Sequence, residues 1–160
     1  SYSKQSDDLS LCKTAEANDA QEIFIWRNDE ISRRMSHSMN TVEWASHLKW
    51  YLSSLNHPNT CLLVCYISKK NEKVGVVRFT IKNSVALTSI NIAPVMRGKG
   101  LATICLNNSI SFFKKKYVEI ANLEAEIKSN NIASRRAFEK VGFVLKHSKD
   151  GVEYFTRSIA

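Results

Sequence analysis

The chain has 160 residues, 44% of them hydrophobic and 24% charged, with a formal charge of +8 at pH 7. That length suffices for one domain with a buried core, and the composition is neither that of a disordered chain nor that of a fibre. The positive balance points to an anionic partner (nucleic acid, a membrane surface or a phosphorylated small molecule), but no block of five like charges marks a nucleic-acid arm.

Residues 1–8 are polar and are expected to form a flexible segment ahead of a single domain over 9–160. Leu9 to Ala15 reads as a first strand. Asn18 or Asp19 can cap a helix running to about Asn28, with Ile23, Ile25 and Trp26 among its apolar positions. A polar break surrounds Ser36 to Asn40. Asn40 and Glu43 have capping-box spacing ahead of a helix to about Leu55, whose apolar face is expected at Ala45, Leu48, Leu52 and Leu55. Leu62 to Ile67 is a nearly continuous apolar run, the pattern of a strand buried on both faces. Lys69 to Lys73 is a polar hairpin turn, and Val74 to Ile81 and Val85 to Ile92 are the two strands that follow.

Leu101 to Phe113 is apolar almost all round and is expected to be a buried helix. Leu123 to Ile127 is a short strand, and Asn131 to Lys140 is a helix ended by Gly142. Phe143 to His147 and Tyr154 to Ser158 form a last hairpin over Lys149-Asp150-Gly151. The order β-α-α-β-β-β-α-β-α-β-β implies an α+β fold with a mixed sheet and helices on both faces.

Cys12, Cys61, Cys65 and Cys105 lie in apolar surroundings without C-x-x-C or zinc-ligand spacing, so buried free thiols in a reducing compartment and no metal site are expected. No apolar run reaches transmembrane length and no signal-peptide pattern is present, which fits a cytoplasmic protein acting without a membrane or nucleic acid.

The stretch richest in chemistry is Arg97-Gly98-Lys99-Gly100-Leu101-Ala102, which follows a strand and opens a helix. Two glycines let backbone N–H groups approach an anion closely, and the helix start adds free N–H groups and a positive dipole end. No Gly-Lys-Ser/Thr closes the motif as a Walker loop, and no acidic ribose ligand stands at the spacing a Rossmann unit requires.

With Asn131-Ile132-Ala133-Ser134 and the ending Glu139-Lys140-Val141-Gly142-Phe143 downstream, the chain resembles the GCN5-related N-acetyltransferases (GNAT) over nearly its whole length from residue 9. Arg97, Gly100 and Ala102 match that superfamily's Gln/Arg-x-x-Gly-x-Gly/Ala motif. The resemblance implies a mixed, mostly antiparallel sheet and an acetyl-CoA-dependent N-acetyltransferase. It places the pyrophosphate of CoA on Arg97, Gly98, Lys99, Gly100, Leu101 and Ala102, with Asn131, Ser134 and Phe138 also at the cofactor. Many members carry a Tyr where this chain has Phe138, so the general acid is left open, with Tyr154 a substitute.

Pantetheine carries amides that can pair with the strand edge at Ser89 to Ile92, and an amide near Asn91 or Ile92 can receive the developing oxyanion. For the general base, Glu126, Glu43 and His47 are candidates. The acceptor side is read from Trp26-Arg27-Asn28, which looks like the acetyltransferases of 4-amino nucleotide sugars in pseudaminic acid synthesis and, less fully, like the ribosomal-protein N-terminal branch. Arg27, Arg33, Arg34 and Arg78 supply charge beyond what CoA requires, and Trp26, Trp44 and Trp50 can stack on a sugar or base. The expected substrate-binding set is therefore Trp26, Arg27, Asn28, His47 and Arg78. The expected partner is a small-molecule amine on a nucleotide sugar, with a homodimer left open. A protein N-terminal acetyltransferase and a non-catalytic CoA-binding domain are the alternatives.

Overall fold

The computed structural model describes residues 11–67 and 71–160. The expected flexible segment at 1–8, Leu9 and Ser10 of the first strand, and Ser68 with Lys69 and Lys70 at the start of the expected turn lie outside the described residues. The elements are β1 (Leu11–Thr14), α1 (Ala20–Asn28), α2 (Glu30–Met35), α3 (Trp44–Asn56), β2 (Thr60–Ile67), β3 (Glu72–Lys82), β4 (Val85–Ile92), α4 (Leu101–Lys116), β5 (Asn122–Lys128), α5 (Ile132–Lys140), β6 (Val144–Lys149) and β7 (Val152–Ser158).

The seven strands form one sheet in the order β1-β2-β3-β4-β5-β7-β6, antiparallel throughout except for β4 and β5. Two-residue turns with both central φ positive set the hairpins, Asn83 (52°) and Ser84 (70°) between β3 and β4, and Asp150 (52°) and Gly151 (76°) between β6 and β7. The parallel pair β4–β5 is joined through α4, and its register runs from Val85↔Asn122 to Leu87↔Glu124. Beyond Leu87 the two strands part while β4 stays paired with β3 to Ile92. That splay is the feature that positions the site.

α4 and α5 pack together on one side of the sheet, and α1 and α3 pack together on the other. Five successive residues of β2, Cys61 to Cys65, are buried, as a strand covered on both faces requires. Phe79 of β3 stacks on Phe113 of α4 with centroids 4.3 Å apart. The four cysteines are free thiols. Cys61 and Cys65 share a face, and Cys65 Sγ lies 3.6 Å from Ser109 Oγ of α4.

Three expectations are corrected. A helix, α2, occupies residues read as leading into a polar break: Asp29 caps it, accepting from Ile31 N at 3.1 Å and Ser32 N at 3.2 Å. α3 begins at Trp44 rather than after Asn40, because the Asn28 side chain grips Val42 through both backbone groups, at 2.8 and 2.7 Å. Its core face carries His47 and Tyr51 with Leu48, Trp50 and Leu55, leaving Ala45 and Leu52 exposed. The stacked rings of His47 and Tyr51, 5.8 Å apart, fill more space than the leucines and set the rotation of the helix. Finally, α4 is amphipathic, with Asn107, Ser111 and Lys114 in solvent.

Candidate active site

The splay between β4 and β5 opens a cleft of about 560 Å³. Its walls are Leu87 to Ile92 of β4, the loop and helix start from Met96 to Thr103, the first turns of α5, and Glu126 of β5. α1 contributes Ile23 and Arg27, α2 and the residues after it contribute Ile31, Ser32, Met35, Ser36 and His37, and Trp50, Leu62, Val76 and Arg78 complete the lining.

The backbone along the cleft is arranged for an extended, anion-bearing ligand. Ala93 N donates to Val74 O at 2.8 Å, so Ala93 faces β3. Alternation along the strand then turns the N–H and C=O groups of Ile90 and Ile92 toward the splay. Gly98 (φ 75°) and Gly100 (φ 73°) are left-handed, with nothing within 4 Å of the point where a Cβ would stand. Gly100 caps α4 with no side-chain hydrogen bond, so the first N–H groups of that helix face the open loop. Asn131 and Ser134 line the opposite wall, where Asn131 Oδ1 accepts from Ser134 N at 3.2 Å as the cap of α5. Lys99 is exposed beside the loop and is not among the lining residues.

Arg97 lines the cleft, but its guanidinium is turned toward α2. Nη1 donates to Asp29 Oδ2 at 2.7 Å and Nη2 to Ser32 Oγ at 2.8 Å. Ser32 Oγ in turn donates to Asn91 Oδ1 at 3.0 Å. Burial alone would raise the Asp29 carboxyl, but the Arg97 and backbone hydrogen bonds hold it below the ordinary carboxylate range.

Arg27 and Arg78 stand over Trp50, 4.8 and 5.5 Å from its ring centroid. Burial pulls both guanidinium groups below their ordinary range, and the charge of Arg27 adds to this at Arg78. Glu126 lies on the cleft wall with Oε1 3.4 Å from His37 Nε2.

Several expected site residues lie elsewhere. His47 is fully buried behind the cleft, its Nε2 3.0 Å from Ala20 O and its ring among Phe24, Trp44, Trp50 and Tyr51. It can serve neither as base nor as substrate ligand. Trp26 is a core residue, and Asn28 spends its amide on Val42. Phe138 is buried against Phe143, with centroids 4.9 Å apart, while its neighbours Ala137 and Ser134 meet the cleft. Helix phase explains this: the apolar member of the motif turns into the core. Glu43 sits at the start of α3, outside the lining. Tyr154 is opposite Glu126 in the β5–β7 register but stacks on His147, centroids 4.5 Å apart, outside the lining. His37 and Asp29 were missed. Asp29 ahead of Glu30 and the basic pair Arg33-Arg34 is a capped-helix signal in the sequence, whereas nothing in the sequence marks His37.

A family model of the acetyltransferase (GNAT) domain matches residues 9–144. The structure is similar to a domain from Methanocaldococcus jannaschii DSM 2661, with a TM-score of 0.80, 19% identity, and coverage of 93% of this chain and 97% of that one. It is also similar to the spermidine N-acetyltransferase of Vibrio cholerae in complex with CoA and spermine (TM-score 0.82, 16% identity, coverage 95% and 96%). A third likeness is to the ribosomal L7/L12 alpha-N-protein acetyltransferase RimL in complex with CoA (TM-score 0.76, 14% identity, coverage 92% and 93%). At such identities the likeness is one of fold. Comparison with curated protein sequences returns no match. The sheet, its splay and the glycine loop are those of an acyl-CoA-dependent transferase. The chain belongs to the GNAT acetyltransferases, enzymes that carry acetyl from acetyl-CoA to an amine.

Proposed function

We propose that this enzyme acetylates the 4-amino group of a nucleotide-linked amino sugar. The observation that carries the reading is the pair Arg27 and Arg78 stacked over Trp50 in the wall of the cleft. Among the described residues neither arginine has a carboxylate partner within ion-pair distance. Two partly desolvated cations beside an aromatic face suit a substrate with a phosphate next to a ring. The same pair opposes polycationic acceptors of the spermidine kind. Arg33 and Arg34 do not add to it: one donates to Asn28 O at 3.1 Å, and the other pairs with Glu30.

The donor side fits CoA in the chain's own terms, because the left-handed glycines leave open the space that a Cβ would fill. The amides from Gly98 to Ala102 are the cradle for its pyrophosphate, with Lys99 adding charge at the rim and Asn131 and Ser134 facing across. The exposed edge of β4 is the ladder for its amide-bearing arm. Bound acetyl-CoA supplies the thioester acyl group and a thiolate leaving group. Ile92 N–H, turned into the splay beside Asn91, donates to the carbonyl oxygen as charge grows there. Glu126, with His37 beside it, takes the proton from the acceptor ammonium. Tyr154 lies outside the lining and Phe138 is a buried hydrocarbon ring, and a thiolate, with a conjugate acid of pKa about 8.5 on the cysteine scale, leaves without a general acid.

The test is a panel assay of thiol release from acetyl-CoA. A UDP-linked 4-amino sugar is expected to turn over, with spermidine, an aminoglycoside and an N-terminal peptide turning over at least about a hundredfold more slowly in kcat/KM, a gap of roughly 2.7 kcal/mol. Turnover confined to the peptide would overturn the reading. Glu126→Gln is expected to lower kcat by about 10²-fold or more while CoA binding is retained.

A further inference from the structure

Among the described residues α2 is the one α-helix with no fully buried residue, yet both of its ends are tied across the splay. At its N-terminus Asp29 and Ser32 hold the Arg97 guanidinium at 2.7 and 2.8 Å, and Ser32 reaches Asn91 at the end of β4. At its C-terminus Lys128 Nζ of β5 donates to Arg34 O at 2.9 Å, and His37 meets Glu126 of the same strand at 3.4 Å. The helix therefore bridges the two strands whose separation makes the cleft, and its residues Ile31, Ser32 and Met35 form part of the lining.

We propose that Arg97 is a strut rather than a phosphate ligand, and that Asp29 is the positioning residue which, through Arg97, fixes α2 to the phosphate loop. The geometry supports this in three ways. Both terminal guanidinium nitrogens are engaged within α2, by a carboxylate and a hydroxyl, in the two-pronged arrangement that an arginine releases least readily. Asp29 Oδ2 at the same time accepts the first amides of α2, so the ion pair and the helix start are one unit. The Arg97 N–H is closed on Pro94 O at 3.3 Å, which leaves the amides from Gly98 onward, not the Arg97 side chain, to meet an anion. α2 has no fully buried residue, with Ser32, Arg33 and Met35 half-buried, so polar ties supply what its packing lacks. The inference uses acetyl-CoA as donor and does not depend on the acceptor.

The test takes the full chain and CoA itself as probe, with binding measured by calorimetry and amide hydrogen exchange read across residues 30–36 and across α4. Asp29→Asn retains an oxygen to cap Ile31 and Ser32 but loses the charge on Arg97. It is expected to leave CoA affinity within about twofold while speeding exchange of residues 30–36 by about tenfold, with α4 unchanged. Arg97→Gln is expected to reproduce the pattern, and the double variant to add nothing to either single one. If Arg97→Gln instead weakens CoA tenfold or more while Asp29→Asn leaves exchange at 30–36 unchanged, Arg97 is a phosphate ligand and the proposal fails. Faster exchange across α4 as well would mean that the pair only stabilises the fold, which also overturns it. Failure of the amino-sugar reading would leave these measurements untouched, since none uses an acceptor.

Discussion

The guanidinium of Arg27 lies 4.8 Å from the ring centroid of Trp50, and the ring thereby holds in the cleft a cation that burial disfavours. Arg78 stands over the same ring at 5.5 Å. A cation–π contact is worth about 0.5–2 kcal/mol, depending on desolvation, so the ring offsets part of the cost of holding two half-buried cations side by side. Arg78→Met keeps the stem and removes the charge. UDP, an acceptor fragment without the amine, is expected to bind this variant about tenfold more weakly by calorimetry, with CoA affinity unchanged. Equal UDP affinity in both proteins would remove the anion subsite from the acceptor side.

A second prediction concerns the strand edge. A Cβ on Gly75 would stand 2.6 Å from Asn91 O and 3.1 Å from Ile92 Cα, both backbone atoms of the paired strand. Gly75→Ala must therefore push the end of β4 away from β3, at the point where Ile92 faces the splay. Overpacking of this kind costs about 1–3 kcal/mol. The melting temperature is expected to fall by roughly 3–8 °C, and kcat to fall by about tenfold or more because the amide proposed to receive the carbonyl charge is displaced. A variant with the lower melting temperature and full kcat would show that Ile92 plays no part in the chemistry.

What the sequence made legible follows from where its signals were local. The β4 boundaries and α5 from its Asn131 cap to Gly142 depend on residues within a few positions of one another, and each is found in the structure as read, while the last hairpin turn is tighter than Lys149-Asp150-Gly151, since Lys149 pairs with Val152 and only Asp150 and Gly151 turn. α2 has no apolar period to read, because none of its six residues is fully buried; a cap and a distant arginine hold it. The face of α3 is not legible from leucine spacing, because the rings of His47, Trp50 and Tyr51 fill the space. Phe138 was placed by motif, and its apolar ring went to the core beside Phe143. Among the four arginines offered for an anion, only the fold could pick out Arg27 and Arg78, since their meeting at Trp50 is a long-range contact.

His47 gives a prediction for stability against pH. Burial, and after it the charge of Arg27, hold its pKa below the ordinary value of about 6.5, outweighing the bond to Ala20 O. The unfolded chain thus takes up a proton near pH 6.5 that the folded chain refuses. The contribution is fully present above pH 6.5 and is lost as pH falls below it toward the folded-state value. Asp29, also held low, acts in a separate window below about pH 3.8. The melting temperature is expected to drop between pH 7.5 and pH 5, and His47→Gln, which can still donate to Ala20 O, is expected to flatten that slope. An unchanged slope in the variant would show that His47 titrates freely.

The glycine loop allows strain and function to be separated. Gly100 has φ 73° and open space where a Cβ would stand, so Gly100→Ala meets no clash and bears only the cost of a left-handed L-residue, about 1–2 kcal/mol. Gly151, in the β6–β7 turn, has φ 76° and the same open surroundings, and therefore bears the same cost outside the cleft lining. Both alanine variants are expected to melt a few degrees lower, by roughly equal amounts. They are expected to differ in CoA binding: at least about tenfold weaker for Gly100→Ala, where a methyl group fills the open space through which an anion would reach the loop amides, and unchanged for Gly151→Ala. Calorimetry with CoA reads the difference directly. Equal affinities in the two variants would mean that the pyrophosphate does not rest on this loop, and the cradle would have to be sought elsewhere along the cleft.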